Sequence, residues 1–126
     1  MGLFSGMIGN ASAHSTEKVE DKLKDFLAPG EHVELAYKLI RDMVVFTDKR
    51  LILIDKQGMT GKKTEYKCIP YRSISRFSVE TSGHFDLDSE LNIWISGSIE
   101  PAEVLQFGKD KNILEVQRAL ATAVLR

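Results

Sequence analysis

Residues 45–55 read VFTDKRLILID, an apolar run on either side of a short polar segment. Runs of β-branched and aromatic residues joined in this way predict the two antiparallel strands of a hairpin. Asp48-Lys49 predicts the tight turn between strands Met43–Thr47 and Arg50–Lys56. Neither strand alternates with polar residues, so we expect each of them to have two apolar faces.

Five further strands are predicted around this hairpin. Period-two alternation and turn residues place them near 31–39, Lys62–Ile69, Ser75–Thr81, Glu90–Ser96 and Glu103–Phe107. Strands that follow one another about every ten residues predict an antiparallel sandwich or a partly open barrel, rather than alternating strands and helices. The residues expected to face the core are Val33, Leu35, Leu51, Leu53, Ile93, Ile95, Leu105, Val116 and Leu120.

One helix is predicted before the strands in the sequence and one after them. Apolar residues at helical spacing predict a leading helix at about 16–28, before Pro29-Gly30, and a closing helix at about 111–125. The segment 1–14 is interpreted as a flexible or partner-docked tail. The remainder, 15–126, is predicted to be a single domain with its barrel at about 31–108. The expected fold class is therefore mainly β (α+β), with a closing C-terminal helix and an additional N-terminal helix.

The same residues carry a family resemblance. Seven strands followed by one amphipathic helix is the element order of the pleckstrin-homology (PH) fold. Residues 45–55 resemble the hairpin between the second and third strands of bacterial PH domains and their GRAM-like relatives. The segment 69–77, IPYRSISRF, resembles the crossing between their two sheets. The chain is thus similar to the short, single-domain bacterial branch, and this resemblance informs fold more than function.

Two departures from the eukaryotic PH pattern affect the expected ligand. Eukaryotic members that bind phosphoinositides carry several Lys and Arg residues around the first hairpin loop, whereas here that loop is Arg41-Asp42, with Lys38 nearby. Phosphoinositide binding is therefore not expected, since a headgroup needs several converging cationic donors. The closing helix also lacks the tryptophan of the eukaryotic domains, and the single tryptophan is Trp94, in the sixth predicted strand.

Composition and residue spacing argue against several function classes. Seventeen Lys+Arg against eighteen Asp+Glu give a net charge of −1, which leaves no basic face for nucleic acid. The three histidines lie far apart, so we expect no metal or other cofactor. The single cysteine, Cys68, is interpreted as a small core residue rather than a nucleophile, and it suits a reducing, cytoplasmic compartment. No catalytic constellation is found, and we expect a protein that is not an enzyme.

The remaining expectation is a binding or scaffold module that acts through protein–protein contacts. The apolar face left over on the central hairpin, together with Trp94, predicts an interaction surface. Its candidate residues are Trp94, Val44, Phe46, Ile52 and Ile54. The resemblance implies a homo-oligomer in the form of a closed ring. Three alternatives stay open. One is a monomer in which the leading helix covers the extra face, and another is a membrane-surface or lipid-binding adaptor whose apolar N-terminal segment contacts lipid. The third is a small enzyme or ligand-carrying barrel, although a barrel of this size is normally filled by its own side chains.

Overall fold

A computed structural model describes residues 13–39, 42–57, 63–81, 89–107 and 113–125. The chain divides into two compact units, Met1–Cys68 and Ile69–Arg126. The elements of the chain are α1 (Ala13–Lys22), β1 (Val33–Lys38), β2 (Asp42–Thr47), β3 (Arg50–Gln57), β4 (Lys63–Pro70), β5 (Ile74–Thr81), β6 (Ser89–Ile95), β7 (Glu103–Gln106) and α2 (Ile113–Val124). A 3₁₀ turn at Tyr71–Ser73 separates β4 from β5. The predicted fold class is confirmed, with seven strands in two antiparallel sheets and one helix at each end.

The first unit is a four-stranded sheet with the order β1-β2-β3-β4. The pairs Met43–Ile54 and Val45–Ile52 bring apolar residues together on one face of the central hairpin. Helix α1 and the turn after it cover that face, where Val19 and Leu23 join a single buried cluster. The cluster consists of Val19, Leu23, Val33, Ala36, Met43, Val45, Ile52 and Ile54. The leading helix therefore covers the extra apolar face of the central hairpin, as one of the alternatives given above proposed.

This packing decides the position of four residues that the sequence assigned to an interaction surface. Val44, Phe46, Ile52 and Ile54 are all buried within the chain itself. The residues alternate along β2 and β3, so Ile52 and Ile54 lie under α1, whereas Val44 and Phe46 point to the opposite face. None of the four reaches the surface of the chain, which corrects the prediction that they form part of an exposed interaction surface.

Helix α1 differs from its predicted extent. It ends at Lys22, rather than near residue 28, and the chain continues through hydrogen-bonded turns. In these turns the Leu27 N–H donates to the Leu23 carbonyl at 3.0 Å, and the Phe26 N–H donates to the same carbonyl at 2.8 Å. The helix begins at Ala13, inside the predicted tail, and residues 1–12 of that tail lie outside the described part of the chain.

The second unit is a three-stranded sheet with the order β5-β6-β7, against which α2 packs. The pairs Phe77–Ile93 and Leu91–Leu105 place apolar side chains on one face. Helix α2 buries a stripe at helical spacing, consisting of Ile113, Val116 and Leu120. The predicted core residues of the whole chain are buried, apart from Leu35 and Ile95, which are half-buried.

Candidate functional site

The polar residues between β2 and β3 form a turn closed by hydrogen bonds from side chains. The Thr47 hydroxyl oxygen accepts hydrogen bonds from the backbone N–H groups of Lys49, at 3.0 Å, and Arg50, at 2.9 Å. The Asp48 carboxylate accepts a hydrogen bond from the backbone N–H of His32 at 2.9 Å. The Asp48 N–H in turn donates to the His32 carbonyl at 3.0 Å. The Thr-Asp-Lys-Arg segment thus fixes the turn and ties it to the residue that precedes β1.

A buried carboxylate lies beside this turn. The Glu31 side chain is 1% exposed, and the Arg50 side chain that faces it is 24% exposed. Arg50 Nε donates to Glu31 Oε2 at 2.9 Å and Arg50 Nη2 donates to Glu31 Oε1 at 3.0 Å, a bidentate arrangement. The Thr47 hydroxyl donates to Oε2 at 2.6 Å, and the Ala28 N–H donates to Oε1 at 2.8 Å. We call Ala28, Glu31, Thr47 and Arg50 the Glu31 clasp.

The hydrogen bonds of the clasp determine the charge state of Glu31. Burial raises the pKa of this carboxyl, but the hydrogen bonds from Arg50, Thr47 and Ala28 lower it by more, so the pKa lies below its ordinary value of 4.5. The same contact with Glu31 raises the pKa of the Arg50 guanidinium. At neutral pH Glu31 is therefore a charged acceptor whose hydrogen bonds are taken up within the chain, and the role of the clasp is structural.

Arg50 also fastens the segment that follows α1. Its Nη2 donates to the Phe26 carbonyl at 3.3 Å, and its guanidinium carbon lies 5.1 Å from the centre of the Phe26 ring. The Phe26 ring in turn lies 5.0 Å from the ring of Tyr66 on β4. Arg50 thereby joins the end of the helical segment to the outermost strand of the first sheet.

Cys68 was predicted to be a core residue, and the structure corrects this. The residue is exposed, and Arg50 Nη1 donates to its sulfur at 3.2 Å. Along β4 the buried residue is Ile69, so alternation turns Cys68 away from the core and toward Arg50. In the described ranges no histidine hydrogen-bonds to this thiol, and the pattern of an activated nucleophile is not found there.

Trp94 is the one predicted interaction residue that reaches the surface. It is half-buried, and its indole Nε1 donates to the Ile99 carbonyl at 3.1 Å. The Arg76 guanidinium carbon stacks 4.0 Å from the centre of the Trp94 ring, from the neighbouring position on β5. The Ile99 side chain is 89% exposed and Val104 on β7 is 43% exposed. We call Arg76, Trp94, Ile99 and Val104 the Trp94 surface.

Polar residues continue this face of the second sheet. Asn92, two residues before Trp94 on β6, is buried at 7% exposure, and its Nδ2 donates to the Ser78 hydroxyl at 3.4 Å. Gln106 Nε2 donates to the Glu90 carboxylate at 2.6 Å. The tryptophan, the isoleucine and the valine are thus bordered by a row of polar side chains that already have partners.

Neither a group of metal ligands nor a helix that could span a membrane is found in the described ranges. Three or more His, Cys, Asp or Glu side chains are nowhere grouped there as ligands of a metal ion. His32 is exposed and pairs with Glu20, with 3.3 Å between its Nδ1 and the nearer carboxylate oxygen, while His84 falls outside those ranges. Neither α1 nor α2 is long and apolar enough to cross a membrane.

Two antiparallel sheets of four and three strands, followed by a helix with one apolar stripe, define a PH-like protein. The family model for the bacterial PH domain matches residues 2–124, and the chain belongs to that family. Among its relatives are two proteins of Bacillus subtilis (strain 168). The uncharacterized protein YjqA is 60% identical over 125 residues, with 99% of this chain and all of YjqA covered. The uncharacterized protein YozO is 36% identical over 121 residues, with 95% of each chain covered.

Solved structures agree with the family assignment. The crystal structure of a pleckstrin homology domain from Shewanella amazonensis SB2B has a TM-score of 0.80 at 47% identity, covering 88% of this chain and 99% of that one. A DUF1696 family protein with a pleckstrin-homology domain, from Shewanella loihica PV-4, has a TM-score of 0.74 at 42% identity and covers 92% of this chain and 96% of its own. The resemblance inferred from the sequence is thereby confirmed at the level of family and fold.

Proposed function

We propose that this protein is a non-enzymatic PH-like binding module of the cytoplasm, which acts through protein–protein contacts and associates with copies of itself into a closed ring. The observation that carries the proposal is the Trp94 surface. Tryptophan and arginine dominate the binding energy of protein interfaces, and here the two side chains are stacked on each other beside an isoleucine that is 89% exposed.

The Trp94 surface is held in place before any partner binds. The indole is fixed on one side by Arg76 and at its nitrogen by the Ile99 carbonyl. Because these side chains lose little conformational freedom on association, the entropic cost of binding at this surface is small. Glu90 and Gln106 border the surface in the way that a polar rim borders the apolar centre of an interface.

Two considerations support the ring, namely the family resemblance and the strand edges. Both sheets are open, and the family resemblance implies contacts that run head to tail between copies. In a head-to-tail contact each copy uses two different patches of its surface. Both patches of every copy are occupied only when the rotation from one copy to the next closes into a ring.

Light scattering on purified variants tests the role of the Trp94 surface. Ile99→Asp places a charge at the centre of the contact and is expected to reduce the mass of the assembly. Leu114→Asp is the matched control, because Leu114 is 65% exposed on α2 and belongs to the same unit. A lower mass for Ile99→Asp alone supports the proposal. Equal masses for the two variants and the wild type contradict a contact at the Trp94 surface.

A second candidate function, a membrane-surface adaptor, has one observation in its favour. Ile99 lies at the same end of the second sheet as Arg72 and Arg76, and both guanidinium groups are exposed. An exposed aliphatic side chain beside cationic groups is the composition of a peripheral lipid contact. Glu100, next to Ile99, reduces the positive charge of this end. Co-sedimentation with anionic phosphatidylglycerol vesicles that is lost in Ile99→Asp would favour the adaptor, and absence of co-sedimentation would favour the protein-binding module.

A further inference from the structure

Strand β4 is the outermost strand of the first sheet, and it is exposed along most of its length. Among its residues only Ile69 is buried, whereas Lys63, Glu65, Tyr66 and Cys68 are exposed. A strand at the end of a sheet presents backbone N–H and C=O groups that can pair with another strand. The side chains along β4 then decide which strand that can be.

The charges on β4 are complementary to the same strand run in the opposite direction. When Tyr66 lies opposite Tyr66 of a second copy, Glu65 falls opposite Lys67 of that copy, and Lys67 falls opposite its Glu65. Oppositely charged residues that face each other across antiparallel strands stabilise the pairing. Sliding one strand by two residues in either direction keeps each side chain on its face and moves the axis by one residue, which places Glu65 opposite Glu65, or Lys67 opposite Lys67, so that like charges oppose the pairing. The charges therefore favour the pairing centred on Tyr66 over its two neighbours.

The other face of β4 adds an aromatic contact at the same centre. Tyr66 is 44% exposed and Phe26, 5.0 Å away between ring centres, is 39% exposed. In the Tyr66-centred arrangement the two tyrosines lie directly opposite each other, with one phenylalanine beside each. Aromatic pairs across strands stabilise a sheet. Exposed aromatic area and charge complementarity thus point to the same partner in the same register.

We propose that β4 pairs antiparallel with β4 of a second copy, across a two-fold axis through Tyr66. The contact joins two four-stranded sheets into one of eight strands, with Glu65–Lys67 pairs on one face and Phe26 and Tyr66 on the other. It goes beyond the ring proposed above, because a two-fold contact uses one patch twice and adds a second copy to each member of any assembly. An assembly that carries both contacts contains an even number of copies in total, whatever the number of copies in one ring.

Charge reversal tests the contact and its register. Glu65→Lys and Lys67→Glu each bring like charges together, so each variant is expected to have half the wild-type mass in light scattering. Mixing the two variants in equal amounts restores opposite charges, and the mass is expected to return to that of the wild type. Lys63→Glu is the control, because Lys63 falls opposite the apolar Ile69 in this register, and its mass is expected not to change.

Glu65 and Lys67 also interact within their own chain, so a second variant separates association from folding. The double variant Glu65→Lys/Lys67→Glu keeps opposite charges across the two-fold axis and is expected to have the wild-type mass. If no ring forms, a mass that falls from two copies to one in Glu65→Lys and Lys67→Glu still supports the β4 contact. If the ring forms through the Trp94 surface and Ile99→Asp breaks it, pairs of copies joined through β4 are expected to remain. Single variants with the wild-type mass, or a mixture or a double variant that does not recover it, overturn the proposal.

Discussion

The Arg50 guanidinium holds the buried Glu31 carboxylate through two hydrogen bonds, Nε to Oε2 at 2.9 Å and Nη2 to Oε1 at 3.0 Å. The two residues are nineteen positions apart, at the entrance to β1 and the start of β3. Their contact gives the polar segment between the two apolar strands a structural role. The Thr-Asp-Lys-Arg segment fixes the turn, and the Glu31 clasp ties that turn to the entrance to β1 and to the end of the helical segment.

The clasp predicts a specific loss of stability. Glu31→Gln removes the charge that pairs with Arg50, and the free energy of unfolding is expected to fall by about 3 kcal/mol, as when a buried ion pair loses one member. Urea denaturation measures this difference. Glu34→Gln, an exposed position on the neighbouring strand, is the control and is expected to change stability by less than about 0.5 kcal/mol. Similar stabilities for the two variants would show that the ion pair contributes nothing.

The lowered pKa of Glu31 predicts the acid side of the stability profile. A carboxyl whose pKa is lower in the folded than in the unfolded state stabilises the fold above the unfolded value, here about 4.5, and this contribution is lost as the pH falls through the folded pKa. The pKa of Glu20 is lowered too, mainly by a hydrogen bond from the Val33 N–H, so Glu31→Gln is expected to retain part of the dependence. Denaturation at a series of pH values should show the wild type and Glu31→Gln converging in stability as the pH falls from the unfolded value of 4.5 through the lower pKa of the folded state. A constant difference would contradict the assignment.

Helix α2 supplies a test of the second unit. Leu120 is fully buried, so Leu120→Asp places an unpaired charge in the core and is expected to abolish the cooperative unfolding transition. Leu114→Asp, on the exposed face of the same helix, is expected to unfold like the wild type. Circular dichroism on heating distinguishes the two. A midpoint for Leu120→Asp within a degree or two of the wild type would refute the packing of α2.

The sequence predicted what depends on local pattern. Period and turn chemistry placed the strands to within a few residues, and the apolar runs of β2 and β3 indicated burial on two faces. The end of α1 was predicted too late, because tertiary contacts from Arg50 and Glu31 hold residues 26–28 in turns that an amphipathic stripe does not reveal. The wrong assignment of Cys68 has a related cause, since alternation shows which residues share a face but not which face is covered.

Part of the candidate site could be predicted, and part could not. Trp94, the single tryptophan, was predicted to be an interaction residue. The stacking of Arg76 on its ring depends on the register between β5 and β6, and the sequence does not specify that register. Phe26 and Tyr66 were predicted to lie on a helix and a strand far apart in sequence. No local rule brings their rings within 5.0 Å of each other.

The connection between β1 and β2 predicts the response to inositol phosphates. Lys38 lies on one side of it and Asp42 on the other, while Ile40 and Arg41 lie outside the described part of the chain. One or two cations beside an acid do not provide the converging donors that a multiply charged headgroup requires. Titration calorimetry with soluble inositol phosphates is expected to show no binding tighter than millimolar. A micromolar dissociation constant would overturn this expectation.

The mass of the wild-type protein in solution tests the central claim, self-association, most directly. Light scattering across micromolar concentrations is expected to give about five or more times the 14.1 kDa of one chain, the mass of a closed ring of that many copies. A number of copies that stays fixed over this range would show that the assembly is closed rather than an open filament. A mass of 14.1 kDa at every concentration would contradict the account, and the module would then act as a monomer.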